Sequence, residues 1–279
     1  MVNNAGDSWI LLRGLTREAG HWGGFISRLH NEFPGSRFYP IDLPGSGLSY
    51  QEASPCAISE VTGKVRELAN HKGYLQGRVL LLAVSLGGMV AWDWLLRYPD
   101  EVAGVVLINS SLAGISPFYR RLRWQSYEYL ARIVCEKNPY RRELKIVQLI
   151  SNCKEKHRII AEEWGAIQKI RPVSGLNAVR QLIAAARYRP GLAKPASPVL
   201  LLNSSGDRLV SPCCSRLISQ HLSLPLATHP WAGHDICQDD PAWVIRRLDA
   251  WLNFAVSQPM NDKPNRLSTT ITGQVWPLS

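Results

Sequence analysis

Six short runs of apolar, β-branched or leucine-rich residues, at 9–13, 37–41, 78–83, 104–109, 198–203 and 226–229, alternate with stretches of helical period. That alternation restricts the fold more than any other feature. Runs this apolar are buried on both faces, which is the condition of strands in a parallel sheet covered by helices on either side. Helices are predicted at 24–32, 58–72, 88–97, 211–222 and 241–255, the last with Val244, Ile245, Leu248, Trp251 and Leu252 on one face. The expected class is α/β, a mostly parallel sheet flanked by helices.

The interval between the runs ending at 109 and beginning at 198 is far too long for a simple crossover and must hold structure of its own. Helical patterns occur at 118–134 (Tyr119, Leu122, Tyr127, Leu130, Ile133), at 157–170 (Ile159, Ile160, Trp164, Ile167) and at 177–188. These predict a core of residues 1–111 and 196–257 with an inserted helical cap, 112–195, and an irregular C-terminal tail, 258–279. The charge is concentrated in the cap. The chain carries +10, but residues 112–195 hold 17 lysines and arginines against 6 acids, a net +11, leaving −1 elsewhere. The excess reads either as a solvated helical surface or as an attractor for an anionic substrate or acyl carrier, such as an acyl group on a phosphopantetheine thioester. No nucleic-acid module accompanies it.

No basic segment followed by an apolar one opens the chain, and no uncharged apolar run approaches the ~20 residues that span a bilayer, so a cytoplasmic protein without a transmembrane segment is expected. Cys56, Cys135, Cys153, Cys213, Cys214 and Cys237 show no zinc-type spacing and read as reduced thiols. No metal site and no cofactor are expected.

Chemistry concentrates around Ser85. It lies in Ala83-Val84-Ser85-Leu86-Gly87-Gly88, between an apolar strand and a predicted helix, the setting of a G-x-S-x-G nucleophile elbow with alanine for the first glycine. By itself the pentapeptide fits a serine N-cap equally well. A serine hydroxyl becomes a nucleophile only beside a histidine base, which in turn needs a carboxylate to orient it. Asp207 follows the run at 198–203 and His234 follows the run at 226–229, so all three residues fall at the carboxyl ends of predicted parallel strands, where α/β sheets bind ligands.

With these residues in that order, the chain resembles the α/β-hydrolase superfamily, in its branch of capped, cofactor-free serine esterases, over roughly 9–256. The resemblance implies a triad of Ser85, Asp207 and His234, and an oxyanion hole from the backbone N–H groups of Leu15 and Leu86. The loop that usually reads His-Gly reads Arg13-Gly14 here, and Asp42 to Gly47 matches a D-x-x-G-x-G turn of structural character. Some relatives take the acid from the end of the preceding strand, but Asn109-Ser110-Ser111 offers none. The other histidines near His234, His221 and His229, lack the preceding Ala-Gly step. The implied reaction is cleavage of a carboxylic ester of a small acyl substrate through an acyl-enzyme. Thioester or C–C hydrolysis by the same triad, or a non-catalytic protein of this fold that binds a ligand or partner, are the alternatives. Trp22, Tyr119, Trp124 and Tyr127 are the expected lining of an apolar pocket between sheet and cap.

Overall fold

The computed structural model describes residues 7–257; the tail expected at 258–279 lies outside the described residues. The six apolar runs become β1 (Ser8–Leu12), β2 (Arg37–Ile41), β3 (Val79–Val84), β4 (Val102–Ile108), β5 (Val199–Ser204) and β6 (Leu226–His229). They form one sheet in the order β2-β1-β3-β4-β5-β6 with every pairing parallel. Because side chains alternate across a strand, each run feeds two cores. Ile10, Leu12, Leu81, Ala83, Val105 and Leu107 pack on one face. Trp9, Leu11, Leu80, Leu82, Val106 and Ile108 pack on the other. The chain runs from β1 outward to β2 and then returns to place β3 on β1's other side. That reversal puts a crevice at the carboxyl ends of β1 and β3, where open α/β sheets place their ligands.

The core helices are α1 (Phe25–Glu32), α2 (Ile58–His71), α3 (Leu86–Arg97), α9 (Cys213–Leu222), α10 (Ile236–Asp239) and α11 (Pro241–Ser257). Between β4 and β5 lie α4 (Phe118–Arg121), α5 (Tyr127–Cys135), α6 (Pro139–Ile150), α7 (His157–Ile170) and α8 (Gly175–Arg187). The single helix expected at 118–134 is therefore two, with a break that has a tertiary cause. Arg123 donates its backbone N–H to Leu209 O at 2.9 Å and Nη1 to Asp207 O at 2.6 Å, and Ser126 Oγ–H donates to Arg208 O at 2.6 Å. These bonds to the loop after β5 divert the backbone from helical geometry.

Helix α6 was not anticipated, although its signals are present. Asn138 caps it through Arg141 N–H at 3.0 Å, Pro139 opens its first turn, and Leu144, Val147 and Ile150 recur at helical spacing. This inserted segment has its own small core of Ile133, Val147, Ile150, Ile160 and Trp164. It is tied to the sheet by a buried ion pair, Arg17 Nη1 to Glu143 at 2.6 Å, and by Asn177 and Gln181 of α8, which bind the loops after β1 and β2. No helix among the described residues is long and apolar enough to cross a membrane.

Candidate active site

Ser85 sits between β3 and α3 with φ 56° and ψ −115°, a left-handed backbone that costs a non-glycine residue roughly 1–3 kcal/mol. The surroundings enforce it. Ser85 N–H donates to Ile108 O at 2.9 Å, and Ser85 O accepts from Gly88 N–H at 2.9 Å and from Ser110 Oγ–H at 2.8 Å. A Cβ on Gly87 would lie 2.6 Å from the carbonyl oxygens of both Leu12 and Arg13, so only glycine lets α3 approach β1. Ala83 needs no such freedom: it is a regular β3 residue paired with Leu12 and Leu107, and the sheet accommodates its methyl.

Asp207 and His234 meet across 27 residues of chain, with His234 Nδ1–H donating to Asp207 Oδ2 at 2.7 Å. The other carboxylate oxygen, Oδ1, accepts the backbone N–H groups of Leu209 at 2.8 Å and Val210 at 2.9 Å. Both side chains are buried, at 1% and 5% exposure. This orientation leaves His234 Nε2 as the acceptor. Leu86 is the first residue of α3, so its N–H has no helical carbonyl to bind. Gly14 packs directly on the serine, since a Cβ there would sit 3.1 Å from Ser85 Cβ and 3.7 Å from Oγ. This brings the Leu15 segment beside Ser85. Thr16, at φ 57°, is held by Gln181 Oε1, which accepts its N–H at 2.9 Å.

Several groups that shape the site were not legible beforehand. Asn109, at φ 46°, donates Nδ2–H to His234 O at 2.8 Å and accepts Ser204 N–H at 3.0 Å, tying the ends of β4 and β5 to the histidine loop. Arg13 lies 2% exposed, with Nη2 2.5 Å and Nη1 3.3 Å from the carboxylate of Asp235, the residue after His234. The pair thus joins the loop after β1 to the histidine loop. Asp239 accepts Gly233 N–H at 2.6 Å, Ser151 Oγ–H at 2.5 Å and Asn152 N–H at 2.9 Å, fastening the end of α6 to the same loop.

Other predicted residues fall elsewhere. Trp22 does not line an opening: it is fully buried, stacked on Phe25 at 5.7 Å with the Arg13 guanidinium 4.8 Å from its ring, because the large apolar ring completes the core under the loop. Tyr119, Trp124 and Tyr127 are 55%, 62% and 41% exposed on the cap. Cavities of about 440 Å³, between α6 and α7, and about 310 Å³, beside α2, contain none of these residues and do not reach Ser85. His229 accepts Ala232 N–H on Nδ1 at 3.0 Å and pairs Nε2 with Asp240 at 3.2 Å, so it builds the histidine loop. His21 is a packing residue whose pKa is driven well below the ordinary value, first by burial and then by Arg17 and Arg13. Asp42 binds the N–H groups of Ala19 and Leu48, which bears out a structural turn, and burial raises its pKa. No cluster of three or more potential metal ligands occurs among the described residues.

A family model described as serine aminopeptidase, S33, matches residues 7–241. The chain is 26% identical over 260 residues to a pimeloyl-(acyl-carrier protein) methyl ester esterase of Nitrosomonas europaea, covering 88% of this chain and 95% of that protein. A protein of the same description from Edwardsiella ictaluri is 27% identical, covering 81% and 87%. Among solved structures, a thermophilic esterase from Thermogutta terrifontis superposes with a TM-score of 0.70 at 21% identity, covering 90% of this chain and 91% of that one.

Proposed function

The chain belongs to the serine aminopeptidase S33 family of α/β-hydrolases, and on that premise we propose that it hydrolyses a carboxylic ester through an acyl-enzyme formed on Ser85. The observation that carries the reading is the buried Asp207–His234 hydrogen bond, because it orients an imidazole acceptor at the sheet edge that also bears the strained serine. Ser85 Oγ attacks the ester carbonyl as His234 Nε2 takes its proton. The oxyanion is met by the N–H groups of Leu86 and Leu15, each such donor contributing about 3 kcal/mol in comparable sites. The C–O bond to the alcohol then breaks, with the proton passing from His234 to the departing oxygen. Water repeats the sequence on the acyl-enzyme. A fluorophosphonate probe tests this directly: it is expected to label the native protein and not Ser85→Ala. Absent labelling, or labelling that survives the substitution, overturns the assignment.

A carrier-linked acyl ester is the substrate form favoured by the basic cap, whose Arg132, Arg141, Lys154, Lys156 and Arg158 are exposed. The names of the Nitrosomonas and Edwardsiella relatives specify such a substrate for those proteins. Long-range attraction of an acidic carrier raises encounter rates by about 10–10³ at low salt. The kcat/KM for a carrier-linked methyl ester is expected to fall about tenfold or more as salt is added, while that for the free methyl ester stays level. Equal responses of the two esters overturn the carrier reading.

A further inference from the structure

Among the described residues three arginines are buried, Arg13, Arg17 and Arg121, at 2%, 6% and 8% exposure. Arg13 is matched by Asp235 and Arg17 by Glu143. Arg121, on α4 of the cap, has no carboxylate partner among the described residues. Its polar contacts are all neutral: Nε–H donates to Ser111 Oγ at 3.4 Å, and Nη2–H donates to Ala185 O at 2.7 Å and lies 3.7 Å from Met89 Sδ. Nη1 has no hydrogen-bond partner there and, unlike the sealed polar atoms, keeps some accessible surface.

A guanidinium stays protonated even when buried, and removing it from water without a counter-ion costs several kcal/mol. Burial pulls the Arg121 pKa down, and the one side chain that acts to restore it is the Cys214 thiol, not a carboxylate. The position of this unmatched cation is informative. Ser111 follows Ser110, whose hydroxyl holds Ser85 O. Met89 lies four residues past Ser85 on α3, about 6 Å along the helix. Ala185 belongs to α8, so the guanidinium lies where cap and elbow helix meet.

Resting on the ester-hydrolase reading, we infer that Arg121 receives a second carboxylate carried by the acyl group, making monoesters of dicarboxylic acids the preferred small substrates. The carboxylate supplies the missing counter-ion through Nη1, and the ester at the other end of the chain is directed to Ser85. One charge-assisted hydrogen bond of this kind corresponds to about 10–100-fold in kcat/KM.

The experiment compares monomethyl adipate and monomethyl suberate with methyl hexanoate and methyl octanoate, following methanol release by the native chain, Arg121→Met and Arg121→Lys. The native enzyme is expected to favour each half-ester by about 10–100-fold over its chain-matched neutral ester. In Arg121→Met that ratio is expected to fall to about one, and in Arg121→Lys, which keeps the charge but loses the planar fork, to an intermediate value. A native ratio near one, or a ratio that survives Arg121→Met, overturns the inference. If Arg121→Met does not fold, an unchanged ratio in Arg121→Lys does so. Fluorophosphonate labelling of the same samples separates the two readings: a labelled Ser85 with a flat ratio removes only the role of Arg121, whereas no labelling removes the hydrolase reading itself.

Discussion

Asp207→Asn is expected to lower kcat by about 10⁴-fold while leaving the fold intact, the magnitude seen when the orienting acid of a serine triad becomes an amide. The reason lies in the two oxygens of Asp207. Oδ1 accepts two backbone N–H groups, from Leu209 and Val210, and Oδ2 accepts His234 Nδ1–H. In the asparagine variant the amide oxygen must take the Oδ1 position, since an NH2 group there would oppose two donors. The NH2 then faces His234 Nδ1 and forces the ring proton onto Nε2, where it blocks acceptance of the serine proton. The check is steady-state kinetics on a methyl ester beside a thermal melt. A loss smaller than about tenfold in a fully folded variant would overturn the role proposed for Asp207.

Breaking the Arg13–Asp235 pair has the largest expected effect on stability. Both side chains are buried, at 3% and 2% exposure. Asp235→Asn keeps the shape of the loop but strands the Arg13 charge, and losing one member of a buried pair costs about 3–5 kcal/mol. For a domain of this size that corresponds to a melting temperature lower by roughly 6–20 °C. The double variant Arg13→Met with Asp235→Leu removes both charges and is expected to recover most of the loss, because the attraction between buried ions is largely offset by their desolvation. Equal melting temperatures for the single and double variants would show that the charges are not coupled. The pair joins two loops at the site, so kcat of the single variant should fall as well.

How much of this was legible beforehand varies with the range of the interaction. The six strands lie within two residues of the apolar runs, and helix 157–170 has the boundaries its period indicated. Helix α6 was missed although Asn138, Pro139 and the apolar spacing announced it. The break between α4 and α5 could not have been read, because Arg123 and Ser126 leave the helix for partners more than 80 residues away. Trp22 shows the same limit in the opposite direction. An aromatic near a binding loop looks like a pocket wall until the core beneath it is known to require its volume.

The sequence by itself determined the α/β class, the strand positions and the order in which Ser85, Asp207 and His234 reach the ends of parallel strands. Apolar period and turn chemistry act over a few residues and are therefore written locally. Only the tertiary structure decided that Arg13 meets Asp235 across 222 residues and that Asn109 holds the histidine loop. It likewise decided that Arg121 is buried with no carboxylate partner among the described residues. A buried charge is matched or left unmatched by whatever the fold brings beside it, and nothing in its local sequence records that partner.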